Sequence, residues 1–148
     1  MMMNHKAYAE QLDDPSLDSN VKAHIVRSIK SELCSTCLTT SMIQADIPRK
    51  LISLAKNTKT DMQTINDILH CFCNLSVCDT SDYYRLIKSG VQETTLGFLN
   101  MELPDVTCEL VIKSTLSFIM RYSRLFGPSR TWLLNQPKLQ NLSSKRTH

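Results

Sequence analysis

Glycine is nearly missing from this chain, with three residues in 148, and aromatic side chains are only 6% of it. A sandwich or barrel would need frequent turn signals and β-rich runs, so both are disfavoured. No apolar run approaches the ~18 residues of a membrane span, and the opening stretch from Met1 to Tyr8 has no apolar segment of signal-peptide length. An intracellular protein, cytoplasmic or nuclear and without a membrane role, is expected. Charge of one sign is also lacking. The formal net charge is +3, but acids and bases interleave along the chain without the dense Lys and Arg clustering of a nucleic-acid surface. No phosphate-cradling glycine loop is present, and no motif fixes His5, His24, His70 or His148 beside a thiol. Neither a catalytic residue, nor a cofactor, nor a small-molecule substrate is expected.

What the chain has in quantity is helical periodicity, and enough length for one domain with a sizeable core. Residues 4–12 form a short helical run that Asp13-Asp14-Pro15 stops, because proline disfavours helical geometry in the residue before it. Asp18, Ser19 and Asn20 then offer N-cap oxygens to a helix whose Val21, Ile25, Ile29 and Leu33 make a buried stripe. The polar stretch from Cys34 to Ser41 is loop or the start of a short helix ending near Ala45. From Ile47 to Lys56 runs a helix that tolerates Pro48 in its first turn. Thr60 or Asp61 caps the next, in which Met62, Ile65, Ile68, Leu69, Phe72 and Leu75 share one face.

The cycle then restarts. Met42 to Leu54 returns as Leu86 to Phe98 at a constant offset of 44, setting Ile43 on Ile87, Asp46 on Gly90, Ile47 on Val91 and Leu54 on Phe98. The register continues from Asp61 to Asp105, Ile68 to Ile112, Phe72 to Leu116 and Leu75 to Ile119. Helical self-similarity of roughly 40–47 residues is the mark of a HEAT or armadillo array. The pattern predicts an all-α solenoid of two to three repeats, covering 4–33, 34–78 and 79–124, with Asp46 and Gly90 at corners between short helices. The last long helix, from Asp105 to about Arg124, is expected to bury Val106, Leu110, Ile112, Leu116, Ile119 and Met120. A partial end helix over 129–135 would fold Trp132, Leu133 and Leu134 over the open end of a domain spanning 1–136, because terminal repeats hide the face a neighbour would cover. Residues 137–148 read as a disordered basic tail.

Six cysteines raise the question of metal. Cys34-x-x-Cys37 and the trio Cys71, Cys73 and Cys78 near His70 carry the right ligand types for zinc. However, Cys71 and Cys73 lie about 200° apart on a helix and cannot both face one ion. A disulfide framework is not needed at this length, and Cys34-x-x-Cys37 lacks a thioredoxin-like setting. The cysteines are read as buried thiols and no metal is expected.

The corner Leu86-Ile-Lys-Ser-Gly-Val91, and the longer helix ending in Cys73-Asn74-Leu75-Ser76, resemble an armadillo repeat over about residues 18–124. That resemblance implies a right-handed stack in which third helices line a concave groove. Nuclear-import adaptors of the family hold a basic peptide there through a tryptophan one turn before an asparagine. Here His70 precedes Asn74, and the next unit offers Ser114 and Phe118. The import function is therefore not implied, and Asn74 alone is expected to hydrogen-bond a partner's backbone. Around the same groove, Arg27, Lys30, His70, Lys113 and Arg121 would favour an acidic ligand, unless they merely solvate exposed helix faces. The expected function is a non-enzymatic adaptor whose protein partner is an acidic extended segment or an amphipathic helix. The alternative is a structural subunit buried by like copies, as a homo-oligomer, or by the rest of a longer chain.

Overall fold

The computed structural model describes residues 4–34, 38–57, 59–98 and 101–126, and among them the only regular secondary structure is helix. Eight α-helices follow in order: α1 (His5–Asp13), α2 (Ser19–Glu32), α3 (Thr39–Gln44), α4 (Ile47–Lys56), α5 (Met62–Leu75), α6 (Thr80–Ser89), α7 (Val91–Gly97) and α8 (Asp105–Phe126). Local chemistry sets most of their ends. The carboxylates of Asp18, Asp61 and Asp79 accept from the backbone N–H three residues on, at 2.9, 2.8 and 2.9 Å, which satisfies donors that a helix start leaves orphaned. Between α3 and α4 the chain turns at Asp46 with φ 66°, and between α6 and α7 at Gly90 with φ 95°. Both are left-handed, so the shared corner is a backbone fact in each unit.

Packing repeats with the sequence. Helix α2 lies against α5 and α5 against α8; α1 packs on α4 and α4 on α7; α3 packs on α6. The blocks α3–α5 and α6–α8 are thus successive three-helix units, and α1 and α2 take the places of a second and third helix before them. The fully buried core runs through all of them, from Val26 and Ile29 through Met42, Leu51, Ile68 and Phe72 to Tyr83 and Phe118. Polar ties join neighbouring units. Thr40 donates to Asp82 at 2.7 Å and Thr107 to Asn66 at 2.6 Å, while within the last unit the Tyr83 hydroxyl donates to the carbonyl of Phe118 at 2.7 Å.

Several expected faces are rotated. In α2, Val21 is 40% exposed and Val26 takes the buried place. In α8 the buried face is Thr107, Leu110, Val111, Ser114, Thr115 and Phe118 with Ile119, while Val106, Leu116 and Met120 are 64%, 51% and 66% exposed and Ile112 is half-buried. The reason in α8 is a slip of one residue in the register. The buried positions Thr64, Asp67, Ile68, Cys71, Phe72, Leu75 and Ser76 in and just after α5 fall on Thr107, Leu110, Val111, Ser114, Thr115, Phe118 and Ile119 of α8, an offset of 43 instead of the expected 44. Phe72 therefore corresponds to buried Thr115 and not to exposed Leu116. Ile43 is buried where α6 packs on α3, and Ile87 is only half-buried on α6. These two, which do correspond at 44, have unlike surroundings because α3 has α6 packed on it and α6 has no such successor among the described residues. The sequence-predicted end helix at 129–135, with Trp132, and the tail 137–148 lie outside the described residues, as does Cys37.

Candidate partner-binding site

Helices α2, α5 and α8 form a row, the third helices that the armadillo resemblance implies would line a groove. Midway along it, Lys30 of α2 reaches across to α5 and places Nζ 2.6 Å from Oδ1 of Asp67. The Asp67 carboxylate is 3% exposed and the lysine 35%, so the acid is buried and the base reaches the surface beside it. Gln63 donates to the same oxygen at 3.4 Å. A buried carboxylate requires such partners, and here they fix the Lys30 head group in place.

One turn further along α5, His70 is exposed. Its imidazole is held below the usual value, chiefly because the ring is partly desolvated and then because Lys30 and Lys113 both oppose its protonation, with Asp67 acting the other way. These couplings place Lys30, His70 and Lys113, one from each helix of the row, in a single electrostatic neighbourhood. Asn74 follows one turn later, half-buried, and its amide makes no side-chain hydrogen bond among the described residues.

The other expected groove residues differ in their surroundings. Arg27 is exposed and donates to Nδ1 of His24 on its own helix at 3.3 Å. Ser114 is wholly buried beside Cys73, which makes it a core residue instead of a surface contact. Arg121 donates to the carbonyl of Cys78 and lies 5.6 Å over the ring of Tyr83, so its guanidinium is engaged within the fold. Sequence reasoning passed over Asp67. The available signal was an acid set between Ile65 and Ile68 on an apolar face, where an unpaired charge is not tolerated.

The cysteines show how the same helix separates its side chains. Cys71 is wholly buried and Cys73 half-buried. Burial pushes the thiols of both upward and that of Cys78 to about 11. Among the described residues no three His, Cys, Asp or Glu side chains converge as a metal site would require. No described helix is long and apolar enough to cross a membrane.

No protein-family model matches the sequence, and no curated protein matches it. Solved structures do. A structure described as computationally designed armadillo repeat proteins for modular peptide recognition is similar with a TM-score of 0.67 at 14% identity, over 93% of this chain and 60% of that one. A designed armadillo repeat protein in complex with the peptide (KR)4 is similar with a TM-score of 0.59 at 13% identity, over 93% and 63%. An engineered protein gives a TM-score of 0.61 at 14% identity, over 94% and 59%. The chain thus spans about three fifths of the length of these proteins. It has the fold of an armadillo-type all-α solenoid.

Proposed function

We propose that the chain is a non-enzymatic scaffold that receives an acidic extended peptide across α2, α5 and α8. The observation that carries this reading is the Lys30–Asp67 pair bridging α2 and α5 beside His70, whose ring senses the charges of both Lys30 and Lys113. Asp67 orders Lys30 and offsets only part of the local positive charge. The remainder faces solvent on three rigid helices, and a surface already in its bound arrangement keeps the entropic cost of association low. Asn74, with its amide free of side-chain partners among the described residues, adds a donor and an acceptor for a peptide backbone. A designed protein of the same fold is in complex with the basic peptide (KR)4. The cationic neighbourhood here favours a ligand of opposite sign.

An eight-residue peptide alternating glutamate and alanine tests this. It should bind the whole chain, and its basic counterpart alternating lysine and alanine should not. Lys113→Gln should weaken the acidic peptide about fivefold, the ~1 kcal/mol scale of an exposed ion pair, and His70→Ala/Asn74→Ala should weaken it further. Unchanged affinity in both variants would remove the site.

One observation supports a second reading, a subunit of a larger assembly. Val106, Leu116 and Met120 expose apolar side chains on α8 around Lys113, a surface that a further copy or segment would cover.

A further inference from the structure

The corners between the short helices form a second feature, separate from the row of α2, α5 and α8. Where the Asp46 corner of one unit stacks beside the Gly90 corner of the next, two adjoining depressions open. The larger, about 470 Å³, is lined by Arg49, Arg85 and Lys88 together with Gln44, Ser89 and Asp46. The smaller, about 300 Å³, shares Lys88 and Ser89 and adds Ile52, Ile87, Lys56 and Glu93. None of these residues belongs to α2, α5 or α8.

Charge in the larger depression is unbalanced. Three cations line it against one carboxylate, Asp46, whose Oδ1 stands 3.7 Å from Arg49 Nε. Arg85 and Lys88 form no ion pair among the described residues, and the Lys88 ammonium lies instead 4.6 Å over the ring of Tyr84. That leaves about two uncompensated positive charges, which matches the −1.5 to −2 of a phosphate monoester at neutral pH. A guanidinium fork such as that of Arg85 suits two phosphate oxygens at once, and the ammonium of Lys88 supplies a point charge beside it. The neighbouring depression differs in character. Ile52 and Ile87 give it apolar wall, and Glu93 offsets part of the charge of Lys56 and Lys88 there.

We propose that this pair of depressions binds a phosphorylated peptide, the phosphoryl group held by Arg49, Arg85 and Lys88 and an adjacent apolar side chain resting on Ile52 and Ile87. Two features disfavour an anionic membrane as the ligand. The cations sit in a recess instead of on a broad face, and Asp46 and Glu93 would be pressed against the lipid phosphates.

The test uses the full 148-residue chain and an acetylated, amidated peptide reading Ala-Ala-phosphoserine-Leu-Ala, followed by calorimetry or by chemical-shift titration. The phosphopeptide should bind at least tenfold tighter than its serine form, with shifts at Arg49, Arg85, Lys88 and Ser89. Arg85→Gln/Lys88→Gln replaces two exposed side chains, and its fold is checked by circular dichroism. This variant should lose at least tenfold in affinity, while Lys113→Gln should bind as the parent does. Equal binding of the serine peptide would overturn the proposal. So would full affinity in the double variant, or loss in Lys113→Gln, which would move the phosphopeptide to the α2, α5 and α8 row. Binding to phosphatidylserine vesicles with none to the phosphopeptide would overturn it in favour of a membrane. Because the acidic-peptide reading is probed by Lys113 and this one by Arg85 and Lys88, either can fail alone.

Discussion

Lys30 shows why the character of the site turns on single atoms. Its ammonium is tied to a carboxylate that has almost no solvent contact, so the charge stands at a set point on the row. His70, beside it, is where that charge becomes sensitive to pH. Desolvation, then the two lysines against Asp67, hold its imidazole below the ordinary value. As pH falls through about 6.5 the unfolded chain takes up this proton before the folded one, so the stability His70 contributes is complete above that value and lost toward the lower folded one. A bound glutamate-rich peptide adds negative charge near the ring and favours the protonated form, so binding takes up a proton. Affinity for the glutamate–alanine peptide should rise several-fold between pH 7.5 and 5.5, where glutamate is still ionised. In His70→Ala the profile should flatten. An equally steep profile in that variant would assign the proton to another group.

At the scale of elements, the corners set where each short helix starts. Gly90 holds φ 95°, and a Cβ built there would meet only Oε2 of Glu93, at 3.9 Å. No clash accompanies Gly90→Ala, so its cost is that of the left-handed backbone itself, about 1–2 kcal/mol. Gly97, at the end of α7, has open space around it and no left-handed φ, so Gly97→Ala should be neutral or gain up to about 1 kcal/mol. Urea unfolding of the two variants checks the contrast, and an equal effect of both would deny Gly90 its special role. Asp46 occupies the same conformation at φ 66° without glycine's freedom.

At the scale of the whole molecule, the stack presents two kinds of surface. On α2 and α5 the row is polar and cationic, while on α8 Lys113 shares its exposed stripe with the apolar Val106, Leu116 and Met120. A peptide-binding scaffold should sediment with one mass at all concentrations, and Leu116→Glu/Met120→Glu should leave that mass unchanged. A mass that rises with concentration and returns to the monomer in this variant would favour the assembly reading instead. The chief error of sequence reasoning, the burial assigned to Val106, Leu116 and Met120, has another cause. The buried positions of α8 repeat those of α5 at 43 instead of 44. Val106, Leu116 and Met120 thus correspond to Gln63, Cys73 and Val77, which are exposed or half-buried even though α5 is flanked on both sides.

The sequence alone determined most of the helices, the repeat of the short helices at 44 residues and the corners at Asp46 and Gly90, and it held Asp18 and Asp61 among the candidate caps. Each depends on contacts within a few residues or on backbone preferences of a single one, so the information is local. Tertiary structure decided the rest: that Lys30 meets Asp67, that Ser114 lies inside, that Arg121 is held at Cys78, and that Arg85 and Lys88 share a recess with Arg49. These depend on which helix stands beside which and how each is rotated about its axis. A rotation of about 100° separates one residue from the next on a helix, enough to exchange a core position for a surface one without disturbing the pattern along the chain.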